Sequence, residues 1–315
     1  MRYVIIGAGA IGGVLGARLH ETGHDTVLVA RGTNATALRE HGLTLATPTG
    51  TTVHRIPVID RVTSLRPGDV LVLAVKTQHT IAALDALPLT EDTPVLCAQN
   101  GVENERIALR RFANVYGMCT IIPATHLSPG LVVAPCAPHS GAAVIGRYPS
   151  GKDTLAERIA TDLDKSGLPA IADPDVMAWK YAKLINNIPN AIEALIHPDD
   201  TDAATDLAKA LQAEADTVLT AAGIHRVSDH TLAQFRAGRV DPQDVPGYEA
   251  GNSTWQSLTR SGGTVETDYF NGEITLLGRQ HTIPTPINTR IQQATHAAAR
   301  DNRAPNTLRI NELLN

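Results

Sequence analysis

The chain has 315 residues, of which 43% are hydrophobic and 19% charged, the balance of a folded protein of about two domains. A net charge of −5 and only 3% aromatic residues supply neither a basic surface to follow a phosphate backbone nor stacking platforms for single strands, so nucleic-acid and membrane-surface binding are not expected. Of the 27 basic residues six are lysines (Lys76, Lys152, Lys165, Lys180, Lys183 and Lys209), so any lysine chemistry must come from these positions.

In chain order, residues 3–6 read as a buried strand, followed by a glycine turn and a helix over 13–21 that Gly23 stops. The apolar run 4–17 after Arg2 carries glycines at fixed offsets and leads into a second strand at 27–31, which makes it structure and not a secretory leader. Short β-like segments follow over 43–59, then a fully apolar strand at 69–76, a helix at 80–87, a strand at 94–99, the turn Asn100-Gly101 and a helix at 103–112. This βαβ rhythm with apolar strands predicts a Rossmann-type parallel sheet covered on both faces. Runs 131–134 and 142–147 read as antiparallel additions at its edge, ahead of a helix at 154–166 and a short strand at 169–172. From about Asp175 only helical periodicity is found, over 176–195, 202–222, 253–260, 265–278 and 285–300, which predicts an all-α second domain. The expected division is 1–173, a dinucleotide-binding domain, and 174–315, a helical substrate and catalytic domain, with Pro174 stopping the last strand. Cys97, Cys119 and Cys136 match neither a zinc spacing nor a disulfide framework, so buried free thiols in a reducing cytoplasm are expected. No apolar run reaches the roughly 18 residues that span a bilayer.

Gly7-Ala8-Gly9-Ala10-Ile11-Gly12 is a GxGxxG placed directly after a strand and before a helix, as dinucleotide binding requires. Gly7 permits the tight turn, Gly9 lets the backbone approach a pyrophosphate, Gly12 lets helix and strand pack, and the helix N-terminus offers free N–H groups to the anion. The second strand ends without the acidic residue that would accept from an NAD ribose. It ends instead at Arg31, which as a solvated loop residue does nothing and as a ligand pairs with the 2′-phosphate of NADP. His20-Glu21-Thr22-Gly23-His24 matches the zinc-protease HExxH, but Gly23 ends the helix before His24, so the two histidines do not share a face and no metal site is expected.

The segment 179–190 holds two lysines and three asparagines. On a continuous helix at about 100° per residue, with Lys183 at zero, Asn187 falls near 40° and Asn190 near −20°, while Tyr181, Leu184, Ile188, Ile192 and Leu195 gather near 140° as the buried stripe. Asparagine is a poor helix former, so this polar face is either solvated or functional; Pro189 removes one helical hydrogen bond, to the Ile185 carbonyl.

The glycine turn with Arg31, the strand ending in Lys76, the Gln99-Asn100-Gly101 turn, the Lys183, Asn187 and Asn190 face, Ser253, the run Glu266 to Gly272 and the stretch Pro284 to Arg290 together resemble the ketopantoate reductase (2-dehydropantoate 2-reductase) family across nearly the whole chain. The resemblance implies a cytoplasmic NADPH-dependent oxidoreductase of pantothenate biosynthesis acting on a small-molecule 2-keto acid, with a homodimer admitted. It implies that Lys183 is the general acid, that Asn100 lies between nicotinamide and substrate, that Asn187, Asn190 and Ser253 hold the hydroxy acid, that Glu266 orients the substrate or the lysine, and that Lys76 sits at the cofactor edge. Read from the residues alone, Asn100 is equally a turn residue before Gly101, Ser253 a helix cap and Glu266 a first-turn helix residue. The family's tryptophan lies two residues before the lysine, whereas Trp179 lies four before Lys183 and one before Lys180, which keeps Lys180 as an alternative donor. The family's asparagines are four apart with proline after the second; here Asn187 and Asn190 are three apart with Pro189 between them, and the step from Ser253 to Glu266 is one residue longer. Such shifts touch the substrate end more than the cofactor end. Reduction of another keto acid or an imine is therefore the second reading, and a non-catalytic NADP-binding sensor the third.

Overall fold

In the computed structural model, which describes residues 1–88, 92–249, 251–260 and 264–314, strands and helices alternate through the first half of the chain. β1 (Arg2–Ile6), α1 (Ala10–Glu21), β2 (Asp25–Val29) and α2 (Gly32–His41) are followed by β3 (Leu43–Thr47), β4 (Gly50–His54) and β5 (Val58–Ile59). Then come β6 (Asp69–Leu73), α3 (Thr80–Asp85), β7 (Val95–Cys97), α4 (Asn104–Leu109), β8 (Val115–Ile121), β9 (Leu131–Val133), β10 (Ala142–Arg147), α5 (Thr154–Lys165) and β11 (Ala170–Ala172). Eight strands form one sheet in the order β11-β10-β8-β7-β6-β1-β2-β5, and every pairing is parallel except β10 with β8. Side chains alternate across each strand. Tyr3, Ile5, Val70, Val72 and Leu96 therefore enter one core, and Val4, Ile6, Leu71, Leu73, Val95 and Cys97 the other. Both faces are covered, which is why these strands read as unbroken apolar runs.

The chain leaves β1 to pair β2 on one side and returns as β6 on the other. This reversal opens a crevice beyond the carboxyl ends of β1, β2 and β6, the position at which open α/β sheets bind ligands.

Two sequence expectations change here. Residues 142–147 pair antiparallel with β8 as expected, but 131–133 do not join the main sheet: β9 pairs in parallel with β3 in a separate three-stranded sheet, β4-β3-β9. The reason is α1, whose outer face needs cover. Leu43, Leu45 and Val132 bury there, and a Cβ on Gly13 would come within 2.6 Å of Val132. The helix α2 is also additional to the predicted elements.

Beyond β11 the described residues form α6 (Val176–Asn187), α7 (Asn190–Leu195), α8 (Thr201–Ala221), α9 (Asp229–Arg236), α10 (Ser253–Thr259), α11 (Asn271–Gln280), α12 (Pro286–Arg300) and α13 (Ile310–Leu314). The chain divides into two compact units, Met1–Lys180 with Ser228–Ala250, and Tyr181–Val227 with Gly251–Asn315. The division thus falls within α6, where the sequence places it at 173, and the segment carrying α9 returns to the first unit. There Phe235 packs edge-on against Trp179 at 5.2 Å, and the Gln243 N–H donates to the Pro135 carbonyl at 2.6 Å. In the second unit Ala194 and Leu195 of α7, Leu258 of α10, Val265, and Ala298 and Ala299 of α12 share a core. Among the described residues no helix is long and apolar enough to cross a membrane.

Candidate functional site

The three glycines of the first turn have different tasks. Gly7 has φ +104°, and a Cβ there would press on Val75 at 2.8 Å; a Cβ on Gly12 would lie 1.9 Å from the Gly7 carbonyl oxygen. Packing of the protein itself demands both. A Cβ on Gly9 would meet only His126, at 4.0 Å, so nothing in the protein requires a glycine there. Gly9 is also the N-cap of α1 and has no side chain to satisfy the first-turn N–H groups, which Ala10, Ile11 and Gly12 carry. An uncapped helix N-terminus behind an unfilled backbone approach is suited to an anion, and this one fits a dinucleotide pyrophosphate.

A cavity of about 550 Å³ opens beside the turn, lined by Gly7, Ala8, Gly9, Arg31, Asn34 and Arg61 among others. Arg31 is exposed at its wall as the extended residue that begins α2. The carboxylate in the lining, Asp60, is paired with Arg39 at 2.6 Å. Asn34, which sequence reading missed, staples the turn: its Nδ2 donates to the Ala8 carbonyl at 2.9 Å, and its Oδ1 accepts the Gly130 N–H at 2.8 Å. The cavity therefore brings together Gly7, Ala8, Gly9 and Arg31 of the predicted cofactor residues; Ala10, Ile11, Gly12, Lys76 and Asn100 are not in its lining.

β6 stops at Leu73, short of the expected 76; Lys76 is half-buried beyond it, where it begins the 3₁₀ turn Thr77–His79, and Asn100 is half-buried in the turn after β7. Between these segments lies a buried polar cluster. The Asn104 side chain donates to Thr77 Oγ1 and to the Asn100 carbonyl, both at 3.1 Å, and accepts from Thr80 Oγ1 at 2.7 Å. Gln99 Nε2 donates to Thr80 Oγ1 at 2.7 Å. Lys180 is 3% exposed; its ammonium donates to the Gln99 carbonyl at 3.1 Å and is ion-paired with the wholly buried Glu105. Burial pushes the Glu105 carboxyl up from its ordinary range, against the pull of Lys180.

In the second unit, Lys183 and Asn187 lie one turn apart on α6, both half-buried, with Asn186 exposed beside them. Leu184, Ile188, Ile192 and Leu195 form the buried stripe. The helix expected over 176–195 is interrupted: α6 ends at Asn187 and α7 starts at Asn190. Pro189 has no N–H for the Ile185 carbonyl, which instead accepts from Gln212 Nε2 at 3.1 Å, and the Ile188 carbonyl accepts from Asn271 Nδ2 at 3.3 Å. Asn190 thus opens a new helix. Ser253 is the first residue of α10 and not its cap; Asn252 caps it, accepting the Thr254 and Trp255 N–H groups at 3.1 and 2.9 Å. The Asn252 amide also donates to the Asn190 carbonyl at 3.2 Å, which brings the starts of α7 and α10, and so Asn190 and Ser253, together. Glu266, half-buried, precedes the 3₁₀ turn Thr267–Tyr269 in place of the expected continuous helix over 265–278, and its charge acts on the Arg260 guanidinium. The HExxH histidines have separate neighbours: the His20 ring meets His54 edge-on at 6.4 Å and the His24 ring meets Tyr3 at 5.9 Å.

Residues 3–150 match the family model for ketopantoate reductase PanE/ApbA, and residues 175–299 match that for ketopantoate reductase PanE/ApbA C terminal. A 2-dehydropantoate 2-reductase of Pyrococcus horikoshii is 28% identical over 304 residues, covering 91% of this chain and 94% of that one. A PanE/ApbA family ketopantoate reductase structure from Ralstonia eutropha JMP134 has a TM-score of 0.78 at 25% identity, covering 96% of this chain and 100% of the other. D-mandelate dehydrogenase, solved with NADH and anilino(oxo)acetate, shares the fold with a TM-score of 0.80 at 22% identity and the same coverage of 96% and 100%.

Proposed function

The chain belongs to the ketopantoate reductase family, and on that premise we propose that it reduces 2-dehydropantoate, or a similar branched 2-keto acid, to the 2-hydroxy acid with NADPH. The observation that carries the assignment of the proton is the fate of Lys180. Its ammonium is buried against Glu105 and the Gln99 carbonyl, which supports giving the role to Lys183.

Bound NADPH supplies the hydride. The N–H groups at the start of α1 and the open backbone at Gly9 would hold its pyrophosphate, and Arg31 its 2′-phosphate. Lys76 and Asn100 would hold the reacting end. The Lys183 ammonium hands a proton to the oxygen of the ketone as negative charge develops there, and Glu266 keeps the ammonium or the substrate oriented. Asn187, Asn190 and Ser253 would hold the acid by hydrogen bonds. A charge-assisted contact from Arg31 contributes about 1.5–3 kcal/mol, a preference for NADPH over NADH of roughly tenfold to a hundredfold.

Absorbance at 340 nm during turnover tests this reading. Ketopantoate should give a higher kcat/KM than other branched 2-keto acids, with NADPH preferred and the preference eroded in Arg31→Ala. Absence of oxidation with ketopantoate, or equal turnover with NADH in the wild type, overturns it; a higher kcat/KM with another keto acid moves the substrate and keeps the reaction.

A further inference from the structure

Lys76-Thr77 and Gln99-Asn100-Gly101 follow neighbouring parallel strands, β6 and β7, on two segments of the chain that, among the described residues, no backbone ladder joins beyond the strands. They do not stand independently. Asn104 spends one amide hydrogen on each segment, on Thr77 Oγ1 and on the Asn100 carbonyl, while Thr80 joins its oxygen to the Gln99 amide. On the other side Lys180, held by Glu105, donates to the Gln99 carbonyl. The carbonyls on both sides of the Asn100 Cα, those of Gln99 and Asn100, are therefore each fixed by a donor from a buried side chain, and Gly101 at φ +77° completes the turn. A lysine and a glutamate this deep pay a desolvation penalty that well-packed apolar side chains would avoid, so stability is a weak explanation for their presence.

We propose that Asn104 and the Lys180–Glu105 pair are positioning residues, fixing the Asn100 turn and the Lys76 segment in one arrangement for the transfer step. This rests on the roles given above to Asn100 and Lys76. The groups touch neither hydride nor proton; they act through the orientation of Asn100, and a misplacement of about 1 Å at such a residue costs as much as 10²-fold in rate.

The test uses the full-length enzyme with Lys180→Met/Glu105→Gln, which removes both charges together, and separately Asn104→Ala, so that the proposal stays testable if one variant does not fold. In a folded variant, kcat with ketopantoate should fall about 10- to 100-fold while the Kd for NADPH, read by fluorescence titration, changes less than about threefold. When the same changes are made in an Asn100→Ala background, the further loss should be under about twofold, because the effect already passes through Asn100. A general structural defect would lower kcat equally in both backgrounds, and that result, or a folded variant within about twofold of wild type, overturns the proposal. If Asn100→Ala itself leaves kcat unchanged, the role of Asn100 has failed and the proposal falls with it; if Asn100→Ala is impaired and the folded variants are not, only the positioning role has failed.

Discussion

An added Cβ at Gly12 would lie 1.9 Å from the Gly7 carbonyl oxygen, whereas one at Gly9 would meet nothing nearer than His126 at 4.0 Å. Gly9 also has φ −88°, which any residue adopts. Gly12→Ala should therefore prevent normal folding. Gly9→Ala should keep stability within about 0.5 kcal/mol of wild type and weaken NADPH binding about tenfold or more. Thermal melts and NADPH titration check the pair, and an unchanged Kd in Gly9→Ala would show that no group of the cofactor approaches that backbone. The spacing of these glycines is legible in the sequence, but the separation of packing glycine from ligand glycine is not, because it depends on Val75, Ala74 and His126 in distant segments. The same holds for the lysines. Lys180 and Lys183 both stand on α6, and what distinguishes them is Glu105, 75 positions upstream in the chain.

At the scale of elements, α5 shows how much one cap can hold. Asp153 accepts the Leu155 and Ala156 N–H groups at 3.1 and 2.9 Å, the Tyr116 hydroxyl at 2.8 Å and Arg147 Nη1 at 2.8 Å. Burial pushes its carboxyl up, but the Ala156 N–H, Arg147 and Tyr116 outweigh this and hold it below the usual carboxylate range; the Tyr116 phenol is pushed up to about 12. Since the folded value is depressed, the contribution to stability is complete above the unfolded value of about 3.9 and is lost as pH falls through the folded value. Asp153→Ala should cost about 1–2 kcal/mol at pH 7 and Asp153→Asn should flatten the acid limb of the stability profile, as read by urea unfolding from neutral pH downward. An acid limb unchanged in Asp153→Asn would assign that pH dependence to other carboxylates, of which Asp69, held low by Arg2 and the Arg66 N–H, is the next candidate. Among elements, legibility follows periodicity. The apolar strands of the main sheet are plain, but α2 is not, because Gly32, Thr33, Asn34 and Thr36 are weak helix formers and only Ala35 and Leu38 are buried. The break between α6 and α7 is signalled by Pro189, yet the donor that makes it tolerable, Gln212, lies on a different helix.

For the whole molecule, the change from strand–helix alternation to helices alone is readable because apolar period switches near residue 175. The return of 228–250 to the first unit is not, since it depends on tertiary contacts such as Phe235 with Trp179. The reversal of strand order between β2, β1 and β6 accounts for the placement of the glycine turn and Arg31 on one cavity. Family membership supplies the reaction class, and the proposed assignment of the proton to Lys183 draws support from the ion pair that buries Lys180 against Glu105. The most direct measurement is therefore the steady-state kcat of Lys183→Ala with NADPH and ketopantoate, alongside its Kd for NADPH. The expected result is a loss of about 10²–10⁴ in kcat with NADPH binding retained; turnover near the wild-type rate would contradict the assignment of the proton to Lys183.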